Sequence, residues 1–410
     1  MRESRLKPKR RRCERPLSLG MFTGSPVPYK IPLYRALADE RGIEFSAIFA
    51  SSGGVRPVDS GFAGEHAWDV DLLSGYRSIF LARADKSPIL GTSTWSVRDP
   101  DIVRVLARER FDVLWMEGYN SVSFMLAAAS QSMLGGHVVI RDDQTLLHPR
   151  SLPVTLVKEV ALRCLFRNRH ILYASSENRR WFEHYGVPPE RLFAAPHTVD
   201  NEHLQSEAAR LRPHRAALRQ GFGIGAEDGP VVLTASRLLE KKQPLFLLEA
   251  FRRLRRRQRC ALLIAGSGPL EREMRGVVDR DAIEDVHFAG FLNQSEIPQA
   301  YACADAFTLL SREHETFGLV VPEAMNFELP IVVSDKVGCH PDLVSRDLNG
   351  YVVPASDPDA AAAALERLVA DPALRQRMGT ASLDRVGEWT PRRTVQGILA
   401  AVKAAASQGR

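Results

Sequence analysis

Short apolar runs alternate with segments of helical spacing twice along this 410-residue chain, and that alternation restricts the fold more than any other feature. In the first series Leu17–Phe22, Glu44–Ala50, Val113–Glu117, His137–Ile140 and Ile171–Ala174 read as strands, with helices over Ile31–Glu40, Ser123–Leu134 and Leu152–Phe166. The second series opens at Val231–Ala235 and continues through Ala261–Ala265, Val286–Ala289, Ala306–Leu310 and Pro330–Ser334, with a helix over Pro244–Arg257. Apolar strands separated by helix-length connections pair in parallel, since the crossover must return the chain to the same end of the sheet. The length suits two such units. The expected fold is therefore α/β, with two Rossmann-like doubly wound domains facing a central cleft. The polar, Arg-rich stretch Asn201–Glu227 breaks the pattern and reads as a linker with a helix. Expected boundaries are a basic tail at 1–15, an amino-terminal domain at 16–205 and a carboxy-terminal domain at 206–390. Helix 391–407 is expected to complete the first domain.

The net charge of +6 belongs to the tail. Residues 1–15 hold eight basic and two acidic side chains, which leaves 47 of each sign in the rest of the chain. A neutral body argues against a nucleic-acid partner. The tail, together with the helical region 152–169, fits an anionic membrane surface. No run reaches the roughly 20 apolar residues of a membrane span, and Pro16–Phe22 is too short for a signal-peptide core. Five scattered cysteines suggest neither a zinc site nor a disulfide framework. A cytoplasmic location, peripheral on the inner face of the plasma membrane, is the expectation.

Two segments carry the chemistry. Glu315-Thr-Phe-Gly-Leu-Val-Val-Pro-Glu323 follows an apolar strand, and Ser236-Arg237-Leu-Leu-Glu-Lys-Lys242 follows another. Loops at strand carboxyl ends are where α/β proteins bind anionic groups. Arg237 and Lys242 suit a diphosphate, because fixed cations neutralise its developing charge as a divalent ion would. Glu315 and Glu323 suit hydroxyls. Four D-x-D patterns, at Asp69/Asp71, Asp99/Asp101, Asp279/Asp281 and Asp357/Asp359, are short and loop-like, and no metal is expected from them. Gly266-Ser-Gly268 follows a strand but has Glu271 where a dinucleotide fingerprint needs glycine, so a close turn near a nucleotide is the reading. Gly24 opens the first loop of the amino-terminal half. Arg141, Asp142 and Asp143 follow the strand His137–Ile140 and are candidates for acceptor hydroxyls. His197 and His314 lie beside these loops without an assigned part.

In order along residues 231–353, the chain shows Ser-Arg-Leu with Lys242 five after Arg237, Ala-Gly-Ser-Gly-Pro-Leu, Val286-His-Phe-Ala-Gly-Phe, Tyr301-Ala-Cys-Ala-Asp, Glu315…Glu323 and Leu329-Pro-Ile-Val-Val-Ser. This series resembles the retaining glycosyltransferases of family 4, which have the GT-B fold. The resemblance implies a nucleotide-sugar donor and a glycan or lipid-linked acceptor, with transfer by retention and no metal or other cofactor. It implies that Arg237 and Lys242 clamp the diphosphate and that Glu323 holds the ribose. It places Glu315 on the transferred sugar, and backbone amides of Phe317, Gly318 and Leu319 on sugar and phosphate. Four features depart from the pattern: Gln243 stands where glycine is usual, the first loop keeps only Gly24, no histidine follows the strand His137–Ile140, and His197-Thr198 replaces Asn-Gly before Val199-Asp200. A non-catalytic nucleotide-sugar scaffold and an epimerase on the same fold are the alternatives.

Overall fold

A computed structural model describes residues 15–56, 58–59, 65–86, 98–147, 152–313 and 315–407, with backbone alone at 58–59, 65–66 and 152–158. The tail at 1–14 and His314 lie outside the described residues.

The amino-terminal strands are β1 (Leu17–Thr23), β2 (Ile43–Phe49), β3 (Val58–Asp59), β4 (Glu65–His66), β5 (Arg77–Phe80), β6 (Val113–Glu117), β7 (His137–Arg141), β8 (His170–Tyr173) and β9 (Leu192–Ala194). Seven form a parallel sheet in the order β5-β2-β1-β6-β7-β8-β9, while β3 and β4 make a separate antiparallel pair. The carboxy-terminal strands are β10 (Val231–Ala235), β11 (Ala261–Ala265), β12 (Val286–Gly290), β13 (Ala306–Leu309), β14 (Ile331–Ser334) and β15 (Gly350–Val353). They form a second parallel sheet, β12-β11-β10-β13-β14-β15.

Each sheet is covered on both faces, which is why its strands are apolar at nearly every position. In β10 the side chains of Val231, Leu233 and Ala235 enter one core cluster and Val232 enters the cluster on the opposite face, following the two-residue period of a strand. The strand order reverses between β10 and β13 in one sheet and between β1 and β6 in the other. Those reversals open crevices at the strand carboxyl ends, where ligands of such folds settle.

Two segments depart from simple succession. The helix Pro391–Ser407 leaves the carboxy-terminal sheet and buries Val395, Ile398, Ala401, Val402 and Ala405 with Leu19, Trp115 and Val139 of the other. The stretch read as a linker contains the helices Asn201–Leu211 and Arg215–Gly221, and Leu204 and Ala208 join the core of the carboxy-terminal sheet. Its i, i+4 apolar spacing was masked by the surrounding arginines, two of which, Arg215 and Arg219, pair with Asp305.

Candidate active site

The crevice beside β10 gathers the residues of both sequence segments. Arg237 follows β10, Gly266 follows β11, and Glu323 lies in the helix Val320–Met325 after β13. All three line one cavity of about 170 Å³, with Ser236, Leu292, Ile297 and Val320. Gly266 has φ +134° and lies so close to Ser236 that a Cβ there would come within 2.0 Å of the Ser236 carbonyl oxygen. Only glycine lets the two loop backbones meet in that way. A second cavity of about 230 Å³ shares Glu323 and Ile297 and continues along the domain cleft past Tyr29, Arg35 and Asp200.

Glu323 is half-buried and accepts a hydrogen bond from the Tyr301 hydroxyl at 2.7 Å. Burial pushes its carboxyl up to about 7, although the Tyr301 bond acts in the opposite direction. Lys242 and Glu315 form an ion pair with each other, and the Ser311 hydroxyl donates to the same Glu315 oxygen at 3.1 Å. The two residues assigned to phosphate and to sugar therefore hold one another in place. Lys241 belongs to the same cluster. Burial and the charge of Lys242 lower its ammonium pKa, with Arg237 adding to the effect and Glu315 opposing it.

The helix after Gly318 has six residues, so the anion-binding capacity expected of its dipole shrinks to a few backbone amides. Gly318 has φ +94° and turns the loop. Leu319 caps the helix, and Phe317 is buried with its ring edge-on to His197, 5.2 Å between centroids.

That contact joins the Glu315–Glu323 loop to the amino-terminal half. Lys30 and Arg141 both pair with Glu117, at 2.6 and 3.2 Å. Arg141 also donates to the Ala195 carbonyl at 2.9 Å and meets His197 Nδ1 at 3.2 Å. A guanidinium only donates, so Nδ1 is the acceptor, and Nε2 carries the proton donated to Asp143 at 2.7 Å. Burial keeps His197 neutral by lowering its pKa. Burial also raises the carboxyls of Glu117 and Asp143, but the Lys30 and Arg141 charges, and for Asp143 the His197 contact, outweigh it and hold both below their usual range.

Arg141 differs from expectation. Its side chain is 1% exposed and points at Glu117 and His197, so it supports the cleft wall from within and does not face acceptor hydroxyls. Asp143, 39% exposed at its side chain, remains open toward solvent. Asp142 is half-buried beside it. The buried Gly24, just after β1, accepts the Ser51 amide at 2.8 Å through its carbonyl, one step beyond the β1–β2 pairing.

The D-x-D acids have local partners. Asp69 accepts from Ser295, Asp71 from the Leu73 and Ser74 amides, and Asp99 from the Arg83 and Asp101 amides. Asp357 caps the helix Pro358–Ala370, and Asp359 pairs with Arg253. A cavity of about 380 Å³ lies away from the crevice, beside Arg212, Arg215 and Arg375. Arg215 there pairs with Asp305 and Arg212 with Glu328, and Arg375 donates to the Leu368 and Val369 carbonyls.

Lys241, Ser311, Tyr301, His197 and Trp68 complete the crevice without having been assigned from sequence. Lys241 adjoins a recognised lysine and was legible. The other contacts span between 22 and 226 positions or depend on side-chain direction, which spacing does not encode.

Two parallel doubly wound domains with a site at the carboxyl ends of the second sheet define the GT-B class. HepE of Anabaena, solved with UDP and glucose, superposes with a TM-score of 0.72 over 95% of this chain and all of that one, at 16% identity. Residues 219–385 match the family model of glycosyl transferases group 1. It is 32% identical over 194 residues to the alpha-D-kanosaminyltransferase of Streptomyces kanamyceticus, a match covering 47% of this chain and 48% of that protein. It is 29% identical over 336 residues to a GDP-mannose-dependent phosphatidylinositol monomannoside mannosyltransferase of Mycobacterium tuberculosis, covering 78% of this chain and 82% of that one.

Proposed function

We propose that this chain transfers a hexose-type sugar from a nucleoside-diphosphate sugar to a glycan or lipid-linked glycan, with retention of anomeric configuration and without a metal. The observation that carries the reading is the gathering of Arg237, Lys241 and Lys242 around the crevice that Glu323 and Glu315 also approach. The bond from the sugar's anomeric carbon to the β-phosphate oxygen breaks, and the leaving diphosphate gains charge that the three cations stabilise. The acceptor oxygen attacks on the same face and passes its proton to the leaving phosphate. Glu323 accepts from ribose hydroxyls, and Glu315 accepts from the sugar once the diphosphate draws Lys242 away. The name of the GDP-mannose-dependent mycobacterial relative agrees with a sugar nucleotide donor and a lipid-linked acceptor.

The test is a panel of UDP-, GDP- and ADP-sugars, read by thermal stabilisation and by slow donor hydrolysis, in the presence of chelator. One donor should stabilise the protein and be hydrolysed. Glu315→Gln should keep binding and lose roughly a hundredfold or more in turnover, the scale of losing one transition-state contact. No stabilisation by any donor, or full turnover in the variant, overturns the reading.

We also propose a peripheral location at the inner face of the plasma membrane. No helix among the described residues is long and apolar enough to cross a membrane. Val160 on the helix Leu152–Phe166 is exposed, with Arg163 and Arg167 nearby, also exposed. Removing residues 1–15 should lower sedimentation with anionic vesicles severalfold. Equal sedimentation of both forms removes the tail from the proposal.

A further inference from the structure

The cavity beside β10 has a wall that the carboxy-terminal domain does not supply. Trp68, from the segment following the β3–β4 pair of the amino-terminal domain, crosses the cleft and lines the cavity together with Gly266 and Leu292. Its ring lies 6.4 Å from that of Phe291, tilted by 49°. Its backbone amide donates to the Gly54 carbonyl at 3.2 Å, and a Cβ on Gly54 would come within 2.9 Å of the indole, so the ring rests closely on that turn.

The peptide groups on either side of Trp68 are held by one residue of the other domain. Asn293 donates its side-chain amide to the Ala67 carbonyl at 2.9 Å and accepts the Asp69 amide at 3.4 Å. Asp69 in turn accepts the Ser295 amide at 3.2 Å and its hydroxyl. An indole fixed from both flanks, on one side of a mostly apolar slot that ends at Arg237 and Glu323, presents a flat face where a planar ring would fit. Bases stack on aromatic faces whatever their hydrogen-bonding edges.

We propose that Trp68 is a positioning residue for the donor, stacking on the base of the nucleoside diphosphate, and that Asn293 and Ser295 clasp it across the cleft so that the nucleotide site is completed only when both domains meet. The proposal rests on the nucleotide-sugar reading and deepens it. The amino-terminal domain then contributes to donor binding as well as to the acceptor side, and donor exchange requires the Asn293–Asp69 clasp to open.

The experiment measures full-length protein against UDP, GDP, ADP and inorganic pyrophosphate by calorimetry, with folding checked by thermal melts. Trp68→Ala should weaken the preferred nucleoside diphosphate roughly ten- to a hundredfold and leave pyrophosphate within twofold. Trp68→Phe should recover most of that loss. Asn293→Ala, a residue outside the cavity lining, should raise the dissociation rate of the nucleotide severalfold. Unchanged nucleotide affinity in Trp68→Ala, an equal loss for pyrophosphate, or no rescue by phenylalanine overturns the stacking. An unchanged dissociation rate in Asn293→Ala overturns the clasp. If the unmodified protein binds no nucleoside diphosphate more tightly than pyrophosphate, the nucleotide-sugar reading itself fails, and that result is separate from the others.

Discussion

The two domains each place a cluster of charged side chains at the cleft, and the clusters are built on opposite principles. In the amino-terminal half Lys30 and Arg141 both pair with Glu117, and His197 links Arg141 to the half-buried Asp143, so two cations stand against two anions. In the carboxy-terminal half Arg237, Lys241 and Lys242 meet Glu315, while burial holds Glu323 near half-ionisation around pH 7. A balanced buried set satisfies itself and fixes the wall's geometry. In the second cluster the Lys241 ammonium pKa is lowered, first by burial and then by the charge of Lys242, as happens where cations are crowded into a site that takes an anion. Charge balance, more than the number of charges, separates scaffold from site.

The sharpest way to break this contrast is to remove one member from each cluster. Glu117→Gln leaves two buried cations without their carboxylate and should destabilise the fold by about 3–5 kcal/mol, with donor affinity in the surviving folded protein unchanged. Arg237→Ala should do the reverse. Stability should fall far less than in Glu117→Gln, while nucleotide diphosphate affinity falls by about 1.5–3 kcal/mol. Denaturant melts and calorimetry on the same two variants settle it. A large stability loss in Arg237→Ala, or an affinity loss in Glu117→Gln, would erase the distinction.

The next effect is about tenfold. Glu323 has a folded pKa near 7, above its ordinary value of 4.5. Between those values the native state binds more protons than the unfolded chain. Stability from this group is thus full at low pH and is lost as pH rises through about 7. Ligand binding runs the other way, since ribose hydroxyls need an acceptor. Nucleotide-sugar affinity should rise roughly tenfold from pH 6 to pH 8, a range over which the diphosphate diester does not titrate. Glu323→Gln should flatten both curves. A pH-independent affinity in the unmodified protein would place the ribose elsewhere.

Much of this was legible in the sequence, and the exceptions have physical reasons. Ten strands show as apolar runs because both faces of each sheet are covered. β5 was hidden by the charge of Arg77, β9 by its three-residue length and β15 by the glycine that opens its four residues. Arg237, Glu315 and Glu323 were readable because one strand end and one loop fix their spacing. The Lys242–Glu315 pair, the burial of Arg141 and the part of His197 were not, because each depends on where a side chain turns after the chain has folded back by 24 to 73 positions. Trp68 is the extreme case. Its neighbours Ala67 and Asp69 bond to residues 226 positions away, and nothing in a short polar loop announces that it will cross a cleft.

The smallest expected effect concerns Gln243, the residue that stands in place of glycine beside Lys242. Its backbone is left-handed, φ +52° and ψ 50°, and it directly precedes the helix Pro244–Arg255. A side chain in that region costs about 1–2 kcal/mol, which explains a preference for glycine. Here the Gln243 side-chain amide donates to the Ala355 carbonyl at 3.2 Å and offsets part of the strain. Alanine would keep the strain and lose the bond, whereas glycine would lose both. Gln243→Gly should therefore be more stable than Gln243→Ala by about 1 kcal/mol in denaturant melts. Both variants should keep donor affinity if the turn serves the scaffold alone. If the alanine variant also binds donor more weakly, the strained turn is what aims Lys242 at the crevice, and the boundary between scaffold and site moves one residue into the loop.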